Sequence, residues 1–598
     1  MRQHVGGRTR RIRGRVALAW LAVMAGGAGL STTAASASGD EPAQTGGTLV
    51  VAGGEDVLYM DPAAAYSAAD YQLQRVTLRG LFDYQAGVDV AERTTPQADL
   101  AVEVPTQENG GISADGLTYT IELRDGVVWN VDEPRPVVAD DVVRGIKRLC
   151  NPVQGAAPRD YFLNTIAGLR EFCEGFAEVA PEVEPMREYI ESNEVTGVTA
   201  TDDTTVEFTL IQPASDFVNI LALMRFAAPQ PVEYLDYPPD SPELRQNIIE
   251  NGPYQITEYV PDQGYVLERN PNWDPDTDDL REAYVDRIEI TLGLEPESVF
   301  QQIIAGTVDM QWGETVVPTP EIPALLAAGD ERLVIEGAGA INPYLAINTL
   351  SPNADGAYAN PLVRQALNFA VDKEAVQQIL GGPNLSELAY HILPPEVPGS
   401  EDINPLEVPP AGDAERAREL LTEAGYPDGV PVRLLYTDEQ VGRTLAALLE
   451  QLLGDAGFEV ELVFAQRNAF YGEFLLNPEF TQSGGWDIAA VSWYADYLAG
   501  RAYMVPMLDG RGYASGSPNY GGYNNDDVNA TIDAALAAET PEEAAALWAE
   551  ADLLATVDAA WVPIAFTKTP TLHGDRVGGF QFHAVGRNGD FANVWIGE

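Results

Sequence analysis

The chain has 598 residues, is 45% hydrophobic, and carries 91 Asp and Glu against 35 Lys and Arg. That is more apolar material than one core usually holds, so two or three domains are expected. The acidic excess disfavours nucleic acid and anionic membrane surfaces as partners, and two cysteines with four histidines, in no CxxC or HExxH pattern, count against a zinc site.

Arg2, Arg8, Arg10, Arg11, Arg13 and Arg15 precede an apolar run over 16–30, and Ala35-Ser36-Ala37 then supplies an AxA-type cleavage site, so residues 1–37 are expected to be a secretion signal. The run is shorter than the roughly 20 residues a spanning helix needs, and no second such run occurs later. Arg10-Arg11 resembles a twin-arginine signal, but Ile12-Arg13-Gly14 match it poorly, which leaves ordinary secretion as the expected route. No lipobox cysteine stands at the cleavage site, so the mature chain is expected to be soluble, in the extracellular or cell-envelope space. Loss of the six leader arginines leaves 91 acids against 29 bases, a net charge of −62. Lysine occurs only at Lys147, Lys373 and Lys568. A salty habitat and an acidic exported protein at ordinary salt both fit that balance.

After the leader the first half reads as strands and hairpins. Residues 117–123 (LTYTIEL) alternate and then turn at Asp125-Gly126 into Val127-Val128-Trp129. Cys150 and Cys173 come next, and export into an oxidising compartment predicts a disulfide between them. Residues 205–210 (TVEFTL) form a strand after Asp202-Asp203, and 254–259 pairs with 265–268 across Pro261-Asp262-Gln263-Gly264. Asp274, Asp276, Asp278 and Asp279 resemble a calcium loop, but glycine is missing from the sixth position and Val285 stands at the twelfth, so a solvated loop is expected.

The second half changes character. Residues 431–436 (PVRLLY) form an apolar strand, and Val441, Leu445, Leu448, Leu449, Leu452 and Leu453 share a helix face. Residues 458–464 then alternate as a strand, which completes a β-α-β unit. Residues 487–493 add a further strand to the same sheet and run into Trp493-Tyr494-Ala495-Asp496-Tyr497. A carboxylate among aromatics at a strand end either reaches solvent or waits for a cation, because an unpaired buried charge costs several kcal/mol. In open α/β sheets ligands bind outside strand carboxyl ends, so Asp496 becomes a candidate site residue.

SADGLTYTIELRDGVVW, VVADDVVRGIKRL, VTATDDTTVEFTL, NGPYQI with LERNPNW, AGTVDM, YLAINT with PLVRQALNFAVDKEAV, ARELLTEAGYPDG and SWYADY occur in that order. Together, from about residue 48 to the C-terminus, they resemble family 5 of the extracellular solute-binding proteins, the dipeptide, oligopeptide and nickel receptors of ABC importers. The resemblance implies an α/β, periplasmic-binding-protein-like fold (type II, cluster C) with two large lobes around a ligand cleft and a small inserted domain. Residues 48–83, 195–325 and 557–598 would form the first domain, 84–194 the insert, and 326–556 the third, with the ligand enclosed by hinge closure. It also implies a monomer that hands its solute to an ABC permease. With few histidines to hold bare nickel, no metal is expected, nor any cofactor, and the acidic charge counts against nucleic acid.

In peptide-binding members the carboxylate of a W-x-x-D-type strand end pairs with the ligand's free ammonium, and the matching position here is Asp496, three residues after Trp493. Trp493 and Tyr494 would stack on ligand side chains or a cationic group, and the loop after Asp61-Pro62, namely Ala65, Tyr66 and Ser67, would offer main-chain partners. Two departures stand out. Tyr497-Leu498 replaces the usual Asp-Pro pair, and Ala489-Ala490 stands where some members carry an arginine for the ligand's carboxyl end. Arg501 is close in sequence and could compensate, though an ordinary solvated arginine is the expectation. The ligand is then a peptide or another amine-bearing solute, with an oligosaccharide or other small organic solute as the alternative. A secreted hydrolase fits less well, since no GxSxG or HExxH pattern is present.

Self-repulsion among −62 net charges is screened by salt. The melting temperature is therefore expected to rise between low and molar sodium chloride, as followed by scanning fluorimetry. A steady fall would contradict this.

Overall fold

The computed structural model describes residues 42–87, 89–153 and 158–597. The secretion signal and its cleavage site lie outside them.

Three sheets of three or more strands organise these residues, with four two-stranded pairs besides. The first runs Met310–Gln311, Thr48–Ala52, Arg287–Thr291, Gly264–Arg269, Tyr254–Val260. Thr48–Ala52 is parallel to both of its neighbours, and the remaining pairs are antiparallel. The hairpin expected across 261–264 is present, with Tyr265 opposite Tyr259. Asp262 (φ +59°) and Gly264 (φ +152°) make the tight turn.

The second sheet joins Thr118–Glu122, Thr205–Thr209 and Val198–Ala200. Here the structure departs from the local hairpin read at Asp125-Gly126. Val128–Trp129 pairs with Arg135–Pro136 instead, while Thr118–Glu122 takes the distant Thr205–Thr209 as its partner. The reason is apolar complementarity: Tyr119 lies opposite Phe208 and Ile121 opposite Val206, and all four are buried. Cross-strand pairs of this kind are the unit of sheet stability.

The third and largest sheet runs Ser386–Leu388, Ala565–Leu572, Leu333–Ile347, Ile488–Tyr494, Val430–Thr437, Phe458–Ala465, with Trp561–Pro563 also on Leu333–Ile347. The expected β-α-β unit is present. Val430–Thr437 and Phe458–Ala465 are parallel and in register, and the helix Gln440–Asp455 covers them with Leu445, Leu449 and Leu453 buried. Val441 is exposed and lies off that face. Ile488–Tyr494 is parallel to Val430–Thr437 on one side and antiparallel to Leu333–Ile347 on the other.

Pairing differs from the expected segmentation at two points. Residues 198–209 complete the sheet that begins at Thr118, and 561–572 join the large sheet instead of returning to the first one. In each case the strand goes where an open edge offers hydrogen bonds, regardless of its place in the chain.

A cluster of ion pairs fastens the first sheet to the neighbouring segments. Asp83 accepts from Arg75, Arg225 and Arg281, and Asp99 from Arg79 (2.8 Å) and Arg281 (2.7 Å). Every one of these side chains is buried. Burial alone would push the Asp83 carboxyl up, but Arg225, Arg75 and Arg281 outweigh it and hold it well below the usual range. Asp278, read as part of a solvated loop, belongs to this cluster. It pairs with Arg281 at 3.1 Å and is buried, because the arginines outnumber Asp83 and Asp99 and leave positive charge to neutralise.

Cys150 and Cys173 form a disulfide that ties the end of the helix Ala139–Arg148 to the helix Leu169–Ala177, closing a separation of 23 residues. A loop of that size is worth about 3 kcal/mol in the chain-entropy account. Reduction, or Cys150→Ala with Cys173→Ala, is expected to lower unfolding free energy by about that amount in urea melts. Recovery of both as free thiols from unreduced protein would overturn the pairing.

Candidate ligand-binding cleft

Val430–Thr437, Phe458–Ala465 and Ile488–Tyr494 are parallel, so their carboxyl ends emerge at one edge of the large sheet. That edge presents Tyr436 and Thr437, then Arg467, then Trp493 to Asp496, to a cavity of about 650 Å³. The volume falls within the range of small-molecule sites. Across it stand Tyr66, Glu314 and Arg587, contributed by segments far away in the chain. Next to the cavity the register between Leu333–Ile347 and Ile488–Tyr494 shifts between Ile341 and Tyr344. Asn342 and Pro343, in that shift, line the wall.

Asp496 is buried, with 9% of its surface exposed. Two phenols donate to it: Tyr66 to Oδ1, and Tyr161 to Oδ2 at 2.9 Å. Among the described residues no lysine or arginine lies within ion-pair distance of its oxygens. Burial raises the carboxyl above its ordinary range, while the two hydroxyls and the more distant charge of Arg587 pull it partly back. The phenols are pushed well above their own usual values by burial and then by Asp496, so they remain protonated donors. A carboxylate offers about four lone-pair sites, which leaves room for a further donor.

Tyr66 is held in place from behind. Asp61 takes both guanidinium nitrogens of Arg148 (2.9 and 2.7 Å) and the amide of Ala63 (3.1 Å). Asp70 accepts from the amides of Tyr66 (2.8 Å) and Leu58 (2.7 Å). Ser67, expected to offer its main chain to a ligand, uses its side chain to cap the helix Ala68–Thr77, accepting the Asp70 amide at 3.1 Å. A reciprocal capping box of this kind satisfies two orphan amides, and it commits the Ser67 side chain.

Trp493 lines the cavity with its indole N–H given to the Ala502 carbonyl at 3.0 Å. Tyr494 lies under the guanidinium of Arg587, 4.8 Å from ring centroid to carbon. Arg501 differs from the expectation in both respects: it is neither solvated nor part of the cavity wall. It is buried, paired with Asp216 at 3.1 Å and bonded to the Thr165 hydroxyl at 3.0 Å. Tyr497 donates to the same Asp216 at 2.8 Å. A buried arginine needs a counter-charge, and Asp216, brought in from a distant part of the chain, supplies it. Sequence reasoning missed Tyr161 and Arg587. Neither sits in a pattern that marks it, since one belongs to a five-residue helix and the other to a turn near the C-terminus.

Comparison with known proteins agrees with this architecture. The model of the bacterial extracellular solute-binding proteins, family 5, matches residues 95–515. The glutathione-binding protein of Salmonella typhi is 25% identical over 578 residues, 94% of this chain and 95% of its own. Heme-binding protein A of Haemophilus influenzae is 26% identical over 78% of this chain and 79% of its own. Among solved structures, clavulanic acid biosynthesis oligopeptide binding protein 2 superposes with a TM-score of 0.81 at 26% identity, covering 93% of this chain and 96% of that one.

Because the folded state raises the Asp496 carboxyl pKa, it binds that proton more tightly than the unfolded chain does. The charge therefore lowers stability progressively as pH rises above the ordinary carboxylate value of about 3.9. Asp496→Asn is expected to melt at or above wild type at pH 7 without ligand, with the gap closing as pH falls toward about 4. A pH series by calorimetry checks this. A variant that melts several degrees lower at neutral pH would contradict it.

Proposed function

The chain belongs to family 5 of the bacterial extracellular solute-binding proteins, and on that premise we propose that it captures a peptide, or a related solute with a free amino group, and delivers it to an ABC permease outside the cytoplasmic membrane. The observation that carries the reading is Asp496: a buried carboxylate on the wall of a cavity of about 650 Å³, steadied by two phenols and with no cation in ion-pair contact among the described residues. An ammonium brings donors for the open lone-pair sites and relieves the charge, a bond worth about 1.5–3 kcal/mol. Trp493 and Tyr494 provide apolar walls for side chains.

Several features support release by opening. Asp496 lies at the end of a strand of the large sheet, while its two phenols come from 66 and 161, on the other side of the cleft. Asp216 meets Arg501 and Tyr497 across the same divide. Closure therefore builds the ammonium site, and separation of the two sides dismantles it. Relatives named for their ligands bind glutathione, heme and oligopeptides, which makes small organic solutes the class to screen. They are binding proteins, and we read this chain as non-catalytic, with no metal or cofactor and acting as a monomer. No helix among the described residues is long and apolar enough to cross a membrane.

Asp496→Asn keeps the shape and removes the charge, so affinity for an amine-bearing ligand is expected to fall by about 2–5 kcal/mol. An N-acetylated ligand should bind wild type poorly and lose far less on the substitution. Calorimetry on the four combinations isolates the ammonium–carboxylate interaction. Equal affinity of variant and wild type for the free amine would redirect the assignment to a neutral solute such as an oligosaccharide.

A further inference from the structure

Asp496 makes one wall of the cavity negative, and a second charge of opposite sign faces it from a turn whose backbone is unusual. Arg587 lies between the hairpin strands Phe582–His583 and Asn588–Gly589 with φ +52°, a left-handed conformation that few non-glycine residues adopt and that tends to collect at ligand sites. The turn is anchored on both sides. His583 is buried within 3.0 Å of the Tyr71 hydroxyl, Asn588 donates to the Gly313 carbonyl at 3.2 Å, and Asp590 meets Arg75 at 3.3 Å. A rigid turn thus holds a bent backbone and aims a long side chain into the cleft.

The guanidinium rests on the ring of Tyr494, which accounts for one of its faces. Its ion-pair contact among the described residues is a long one, 3.5 Å to Glu314, whose side chain is more than half exposed. A planar fork with donors to spare, facing a cavity, is the geometry that receives a carboxylate in bidentate fashion. The separation also constrains the ligand. Tyr494, beneath Arg587, is two residues before Asp496 in the chain, and all three line the same cavity. The positive and negative anchors are therefore neighbours in one cavity, a placement that suits opposite charges close together on a ligand.

We propose that Arg587 is a specificity-determining residue that receives a carboxylate on the same ligand residue whose ammonium meets Asp496, so that the cleft selects solutes with an acidic leading residue. This rests on the ammonium reading of Asp496. The carboxylate has two chemical sources: the free α-carboxylate of a γ-linked glutamyl group, or the side chain of an ordinary leading Glu or Asp. The charge of Arg587 already reaches the site, since it draws down both the Asp496 carboxyl and the Tyr66 phenol.

The test is calorimetry with three probes, γ-Glu-Ala-Ala, α-Glu-Ala-Ala and Ala-Ala-Ala, on wild type, Arg587→Gln, Arg587→Asn and Asp496→Asn. One of the glutamyl peptides is expected to bind wild type roughly 10- to 100-fold more tightly than Ala-Ala-Ala, the range of one charge-assisted bond. Which one it is identifies the source. Both Arg587 variants should collapse that preference. Asn tolerates positive φ, so Arg587→Asn should melt close to wild type, which separates lost recognition from lost fold. The proposal is overturned if the preference survives in the Arg587 variants, if Ala-Ala-Ala binds wild type as tightly as both glutamyl peptides, or if none of the three binds at millimolar concentration. Asp496→Asn should weaken all three probes. If it leaves them unchanged while the Arg587 preference collapses, the ammonium reading fails and the carboxylate anchor stands.

Discussion

The buried cluster around Asp83 and Asp99 is the constraint on which the cleft depends. Arg75 sits on the helix Ala68–Thr77, whose amino end begins immediately after Ser67, next to Tyr66, and the same arginine reaches Asp590 beyond the hairpin that carries Arg587. Arg225 and Arg281 bring in the segment after the second sheet and the approach to the strand Arg287–Thr291. One set of charges therefore sets the positions of Tyr66 and Arg587 together. Removing any single member would strand a buried charge, a loss of about 3–5 kcal/mol. Such a cluster contributes less to net stability than to a unique arrangement, because desolvation offsets most of the attraction.

The molecule buries carboxylates in two contrasting ways. Asp83 meets three guanidinium groups and is held well below the usual carboxylate range. Asp496 meets two phenols and is raised. Neutral donors orient a carboxylate without discharging it, so Asp496 retains the capacity to attract a cation. The difference lies in partners and not in depth, since both groups are buried. Asp216 with Arg501 shows the ordinary alternative close to the same strand end, a complete pair with the Tyr497 hydroxyl added.

Sheet order decides which strand ends become a binding surface. Three parallel strands deliver three loops to one edge, and the antiparallel neighbour Leu333–Ile347 shifts register there, at Asn342 and Pro343. The chain as a whole is strongly acidic. An arginine kept inside the cleft by a left-handed turn and by the face of Tyr494 stands out against that background.

Much of this was legible in the residues themselves. Alternation in 458–464 and the one-sided leucines of 440–455 determine a strand and a covering helix, because burial of one face needs no distant information. The strand into Trp493 and the placing of Asp496 at its end come from the same local periodicity, and two cysteines leave a single intramolecular pairing. Every choice among partners depended on the tertiary structure. Thr118–Glu122 bonds to Thr205–Thr209 and not to its neighbour in sequence, Ser67 serves a helix cap, and Asp278 joins a buried cluster. Arg501 turns away to Asp216, while Tyr161 and Arg587 arrive near Asp496 from 335 residues before it and from the C-terminal turn. Side-chain periodicity is a property of one segment and can be read from it. A hydrogen bond or ion pair between segments depends on which of several competing donors and acceptors the packed chain brings within about 3 Å, and only the three-dimensional structure settles that competition.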